Sequence, residues 1–211
     1  MTSWDDRTRW YLDQVTAPSG TAINLHYLKS QHLRLTSSAA ENDRLTQAIN
    51  AATLQCEYLT GRAILPQTWA LVLDRFPPRI EIPKPPLMSV TSIQYVDVDG
   101  ATQTLGGSIY SVKRQYSERC RRSVIDLAYD QDWPETRPQR DAVTVTFRAG
   151  YVEDPDGSPE VVDVPADIQD GIAMRAAELY KQRSDSVIGF GVTVTPAIVA
   201  SRNLWDAYRV F

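Results

Sequence analysis

Leu45-Thr-Gln-Ala-Ile-Asn-Ala-Ala-Thr-Leu-Gln-Cys-Glu-Tyr-Leu-Thr-Gly61, then Gln67-Thr-Trp-Ala-Leu-Val-Leu-Asp-Arg-Phe-Pro77, then Pro85-Pro-Leu-Met-Ser-Val-Thr-Ser-Ile-Gln-Tyr-Val-Asp-Val-Asp-Gly100: in these three runs the chain changes its periodicity. In the first, Leu45, Ala48, Ile49, Ala52, Cys56 and Leu59 recur at three- and four-residue spacing, one apolar stripe along a helix. Asp43, Arg44, Gln47, Asn50, Gln55 and Glu57 lie on its flanks. Gly61 is placed to end the helix in the left-handed conformation, and Ser38-Ala-Ala-Glu41 reads as a capping box before it. In the second run Trp69, Leu71 and Leu73 alternate with Thr68, Ala70 and Val72, the pattern of a strand over 68–74 buried in part on both faces. Phe76-Pro-Pro78 ends it, because proline has no N–H for a ladder. In the third, 90–98 reads as a strand and Asp99-Gly100 as a hairpin turn, with 101–105 returning antiparallel.

Outward from there the signals weaken. Residues 79–82 read as a short strand, and Pro83-Lys-Pro-Pro86 as a rigid corner. Further strands are expected over 109–112, 124–128 and 143–147. Upstream, 23–35 reads as a short helix with Leu25, Leu28, His32 and Leu35 near one face. Residues 1–20 are polar with Trp4, Trp10 and Tyr11 interspersed, which fits a docking arm or a surface-packed terminus. Downstream, 153–160 is an acidic loop. Pro165 suits the first turn of a helix with Ile168, Ile172, Ala176, Leu179 and Tyr180 on its apolar face. After a loop over 184–195, Pro196 opens a short last helix. Ala197, Ala200, Leu204, Tyr208 and Phe211 fall on one side of it, with Trp205 adjacent. A helix this short needs a surface to pack on, its own core or a partner's.

Composition narrows the function. The net charge of −4 argues against a chain whose main task is to coat nucleic acid. Five of the 22 basic residues, Lys113, Arg114, Arg119, Arg121 and Arg122, nevertheless cluster in one loop. Phosphate or acidic-partner contact is one reading of that run. A solvated hairpin loop is the other, favoured because Tyr116 is the single interleaved aromatic. Of the two cysteines, Cys56 falls on the apolar helix face and reads as a buried reduced thiol. His26 and His32 lack nearby carboxylate or cysteine partners, a poor basis for a metal site or a general base. Asp97-Val-Asp-Gly100 resembles the opening of a calcium loop but lacks its further ligands, so a hairpin turn is expected. With no nucleophile elbow or phosphate loop, no enzyme, cofactor or metal is expected. No apolar run approaches a membrane span.

A family likeness rests on an ordered set of segments. These are Leu33-Arg-Leu35, Asn42-Asp43, Ala51-Ala52, Glu57-Tyr-Leu-Thr-Gly-Arg62, Gln67-Thr-Trp69, Leu73-Asp-Arg-Phe-Pro77, and Pro86 through Asp97. Asp99-Gly100, Trp133-Pro134, Val143 to Phe147 with Ala149-Gly-Tyr151, Val164-Pro165, Tyr180 through Arg183, Leu204 and Tyr208-Arg209 continue it. In this order the chain resembles the head–tail connector (adaptor) proteins of tailed double-stranded DNA bacteriophages and related gene-transfer particles. The likeness spans about residues 21–211; the first 20 depart from it.

The resemblance implies an α+β fold, a small helical bundle (two N-terminal and two C-terminal helices) with a mainly antiparallel β-rich insertion. The corresponding division is an arm over 1–20, helices over 21–62, the insertion over 63–162, a core helix over 163–183, and a loop and docking helix over 184–211. It implies a homo-oligomeric ring of about twelve copies in the virion, made in the host cytoplasm. The ring would sit between the portal and the next neck or tail component, with genomic DNA passing through it unread and no membrane. Leu204, Trp205, Tyr208, Arg209, Val210 and Phe211 are then the expected portal contacts, because aromatics and arginine are common interface anchors. Arg44, Gln47, Gln55 and Glu57 are the expected subunit contacts. The alternative function is a small nucleic-acid-binding module using 113–122.

Overall fold

The computed structural model describes residues 9–35, 39–113, 122–151, 164–181 and 197–210. Expectations that fall on Trp4, Ser38, Arg114, Arg119, Arg121, Phe211, the acidic loop over 153–160 and the loop over 184–195 lie outside the described residues.

The fold is α+β, and the described residues form eight strands: β1 (Trp10–Thr16), β2 (Gln67–Leu73), β3 (Ile80–Ile82), β4 (Leu87–Val96), β5 (Thr102–Thr104), β6 (Tyr110–Lys113), β7 (Ser123–Leu127) and β8 (Val143–Ala149). Its helices are α1 (Leu25–Tyr27), α2 (Asn42–Thr60), α3 (Ala166–Lys181) and α4 (Ala197–Asp206). α1 runs on as a π-helical turn over Leu28–Leu33, so the expected single helix is split, and Arg34 at φ 52° closes it in the left-handed region. Ala39–Glu41 form a 3₁₀ turn before α2, and Glu41, at the N-cap, makes no side-chain cap bond. Its carboxylate instead accepts from Tyr180 Oη at 3.1 Å. Gly61 ends α2 at φ 72°, with its N–H on Glu57 O at 2.9 Å.

All strand pairings are antiparallel. One sheet runs β1-β2-β8-β4-β5 and the other β3-β7-β6. Alternation decides which side chains meet. Leu71, Leu73, Ile93, Val143, Val145 and Phe147 of the larger sheet share one buried cluster with Ile80, Ile82 and Ile125 of the smaller. β4 starts earlier than expected, at Leu87, because two bulges, at 87–89 and 90–92, keep it in register with β8. At the hairpin Asp97 Oδ1 accepts from Asp99 N (3.1 Å) and Ala101 N (2.8 Å), and Oδ2 from Gln103 Nε2 (2.8 Å). That carboxylate serves the turn, and these bonds hold its pKa below the usual range.

A second buried cluster belongs to the helices: Leu45, Ile49, Ala52 and Cys56 of α2 face Ile168, Ile172, Ala173 and Ala176 of α3, with Leu28 and Trp205 closing the ends. Cys56 is a free buried thiol, its pKa pushed up chiefly by burial. The protein thus has two cores. The chain leaves the helices at Gly61 and returns at Tyr151, where Tyr151 N donates to Ile64 O at 3.0 Å. The strands over 67–149 are therefore an insertion whose two ends lie side by side. Sequence reading missed β1, which precedes the helices yet pairs with β2 as an edge strand.

Gly150 marks how tightly the two passages touch. It sits at φ 136°, and a Cβ there would lie 2.6 Å from Leu65 C and 2.7 Å from Pro66 N, both backbone atoms. Gly150→Ala is expected to cost about 2–4 kcal/mol through strain and collision. A chemical-denaturation midpoint unchanged from the wild type would refute that packing.

Candidate functional site

Two surfaces carry the sequence expectations, the C-terminal segment and the α2 flank, and they meet at a buried polar junction. Glu57, Thr60, Arg62, Gln67 and Tyr151 are all buried there. Glu57 Oε1 accepts from Ile64 N at 2.7 Å and Gln67 Nε2 at 2.8 Å, and Gln14 Nε2 of β1 donates to Gln67 Oε1 at 2.7 Å. Helix, insertion and N-terminal strand are joined through one carboxylate. Arg62 Nε donates to Tyr208 O at 2.6 Å, its Nη1 to Tyr151 Oη at 3.1 Å, and its guanidinium lies 5.8 Å from the Tyr208 ring centre. Val210 N donates to Thr60 O at 2.8 Å. Burial pushes the Glu57 pKa up, opposed by its bonds to Ile64 and Gln67 and by Lys84.

The expected portal contacts divide. Trp205 is 1 % exposed and Ser201 is fully buried, so the seam of α4 centres on these two, with half-buried Leu204 and Tyr208 packed at its margin. Trp205 Nε1 points at Ile168 O, 3.5 Å away, and the indole lies against Gly171, where any Cβ would collide with Nε1. As folded, Trp205 belongs to the chain's own core, which corrects the expectation that it faces a partner. Leu204, Tyr208, Arg209 and Val210 are half-buried and keep accessible surface; Arg209 is 3.9 Å from Asp206. The mid-helix glycine was the sequence signal for the Trp205 seat, since it costs helix stability and needs a reason.

The expected subunit contacts divide as well. Glu57 is buried, correcting its placement on an exposed flank. Arg44 Nη2 donates to Tyr180 O at 3.0 Å and its guanidinium lies 5.1 Å from that ring's centre. Gln55 Oε1 accepts from Arg175 Nε at 2.7 Å. Gln47 is exposed. Beside it the exposed face of α2 carries Leu54 at 61 % and Tyr58 at 86 % exposure.

Of the basic run, Lys113 and Arg122 are described. Lys113 Nζ and Arg79 Nε bind the two oxygens of Asp126, each at 2.8 Å, and together hold its pKa below the usual range. Arg122 Nη1 lies 3.5 Å from Glu81 Oε2. These two cations are balanced by carboxylates on the small sheet. A cleft of about 630 Å³ is lined by Thr21, Ile23, Leu65, Pro66, Tyr151 and Val164, beside the junction.

No family model and no curated protein matches the sequence. Solved structures do. A chain in the neck of an empty GTA particle, computed with C6 symmetry, is 23% identical at a TM-score of 0.70, over 95% of this chain and 96% of that one. A chain of the virion of a native gene transfer agent (GTA) particle is 23% identical, TM-score 0.69, over 95% of both. A chain in the neck of the native particle, computed with C12 symmetry, is 20% identical, TM-score 0.66, over 95% and 96%. At this identity the fold is what the chains share.

Proposed function

We propose that this chain is a structural, non-enzymatic adaptor in the neck of a tailed phage or gene-transfer particle. It forms a ring of about twelve copies between the portal and the next neck or tail component, and DNA passes through the centre. The observation that carries this reading is the fold likeness to particle-neck chains over nearly the whole of both partners. The ordered sequence segments of the adaptor family support it independently. A mildly acidic chain suits a passage through which DNA must move without being gripped.

Leu204, Tyr208, Arg209, Val210 and Phe211 remain the proposed portal contacts. Truncation at 196 would remove Trp205 from the core and confuse unfolding with lost docking. Arg209→Glu combined with Val210→Asp changes only side chains and keeps the backbone bonds of Tyr208 and Val210. Light scattering after size exclusion, with the portal protein of the same genome, should show a portal-plus-ring mass for the wild type. The double variant should stay folded and lose that mass. Failure of the wild type to associate, together with salt-sensitive binding to DNA, would replace this reading with a nucleic-acid module.

A further inference from the structure

The larger sheet ends on β1, and among the described residues no strand pairs with the outer edge of β1. Proteins blunt such edges with short strands, charge or proline. The opposite edge, β5, is a short polar strand, Thr102-Gln-Thr104. β1 has seven residues with Asp13 as its one charge, and every residue but Leu12 is exposed. Its ladder runs from Trp10 to Gln14 without a register shift. Trp10, Leu12 and Gln14 share a side with their partners Leu73, Leu71 and Trp69, the side of the sheet core. There a cleft of about 250 Å³ opens between β1 and β3, lined by Trp10, Leu71, Leu73, Pro77, Ile80 and Arg122. A cavity of about 150 Å³ already holds a benzene ring, so a phenyl group fits. Arg122 Nε is buried without a hydrogen-bond partner among the described residues, a donor that an incoming backbone carbonyl would satisfy.

The chain carries a stretch that suits this edge. Between Asp185 and Arg202 no residue is charged. From 188 to 195 the sequence alternates strictly: Ile188, Phe190, Val192 and Val194 against Gly189, Gly191, Thr193 and Thr195. That is the pattern of a strand with one apolar face. The stretch belongs to the link between α3 and α4, outside the described residues. Residues 190–194 equal the unshifted part of β1 in length.

Both ends of that link leave the helices away from the chain's own β1. α3 ends beside the start of α2, where Arg44 donates to Tyr180 O and Tyr180 Oη donates to Glu41. α4 meets the start of α3 at its C-terminal end, through Trp205 and Tyr208. Ala197, at its other end, is about 14 Å from there. A tether of at most about 11 Å joins Val194 to Ala197. It falls short of the junction, and β1 lies beyond, with Gln14 at Gln67 and Trp10 about 14 Å farther along the strand. The β1 edge within reach is a second copy's.

We propose that 190–194 of one copy adds as an outer strand on β1 of the next, with Phe190 seated in the cleft beside Trp10 and Val192 and Val194 continuing the apolar side past Leu12. The proposal rests on the ring reading and specifies its contact. Seating Phe190 at Trp10 while 192–194 stays on the ladder sets the two strands parallel. Backbone bonds supply affinity in such an addition, and the seated side chain sets the register. A link of one copy meets an edge of the next, so the contact is heterologous and repeats around a ring. Arg44 and Gln47, two of the expected subunit contacts, lie at the end of the helices from which the link leaves.

The test replaces Trp10 with the photocrosslinker benzoylphenylalanine in the full chain, mixed with isotope-labelled wild-type copies and the portal protein. Irradiation should join position 10 to a labelled peptide from 186–196. Phe190→Ala should weaken ring assembly on the portal about tenfold, as loss of a seated aromatic anchor does. It should leave the urea midpoint of the monomer unchanged. Rings seen by light scattering without the labelled product, or with a product confined to one copy, would overturn this contact and leave the adaptor reading standing. A lowered midpoint for Phe190→Ala would put that side chain in its own chain's core and overturn the contact as well. A chain that stays monomeric with and without portal would overturn both.

Discussion

Trp205→Ala is expected to lower the unfolding free energy by about 3–5 kcal/mol, the range for emptying a buried aromatic site. Among the described residues the indole is the largest fully buried side chain, and it fills the space between α4 and the start of α3. α4 has ten residues, too few to persist alone, so its place depends on that contact. Gly171 supplies the check. Gly171→Ala should itself be strongly destabilising, because the added methyl collides with the indole. In a Trp205→Ala background the collision is gone, and the same change should cost little or stabilise α3, since alanine favours helix over glycine by about 1 kcal/mol. Urea midpoints for the four proteins decide it. Equal costs of Gly171→Ala in both backgrounds would show that the two residues do not pack as described.

Replacing Glu57 separates charge from hydrogen bonding. Glu57→Ala strands the Ile64 N–H and the Gln67 amide inside the protein, a loss of about 2–4 kcal/mol. Glu57→Gln keeps an acceptor for both and should stay within about 1 kcal/mol of the wild type at neutral pH. The two variants also part in their pH dependence. Burial raises the Glu57 pKa above its unfolded value, so the folded state holds this proton more tightly than the unfolded state. The stability contribution is complete below the ordinary glutamate pKa and is lost as pH rises through the raised one. Lowering the pH from neutral toward the glutamate range should therefore stabilise the wild type relative to Glu57→Gln. Asp97 and Asp126, with lowered pKa values, act in the opposite sense in both proteins and cancel in the difference. A difference that does not change with pH would place Glu57 in water.

Local pattern made α2, the Asp97–Gly100 turn and most strands legible. A 3.6-residue stripe with a glycine stop, or an alternating run bounded by prolines, determines its element within a dozen residues. Three features needed distant partners. β1 reads as polar chain because its ladder partners lie 52 to 63 residues away across α1 and α2. Glu57 reads as a helix flank because the groups that bury it, Ile64 and Gln67, arrive only after the chain turns at Gly61. Trp205 reads as an adhesive tail residue until Gly171, on another helix, supplies its seat. Each is a long-range contact, and spacing within one segment carries no record of it. The candidate site was legible in part. Pattern singled out the C-terminal segment and the α2 flank, but which residues on each remain accessible depended on burial.

Among the described residues the chain passes between its two cores at 17–24, 61–66 and 150–151, and residues of all three passages line the cleft beside Tyr151. The helical core and the sheet core are thus tied together along one short seam. The hydrogen bonds that link them there include those of Glu57, the Tyr151 N–H to Ile64 O and the Arg62 guanidinium to Tyr151 Oη. Glu57 accepts there from Ile64 N and Gln67 Nε2, so any change at this one carboxylate is felt by α2 and by the start of β2 together.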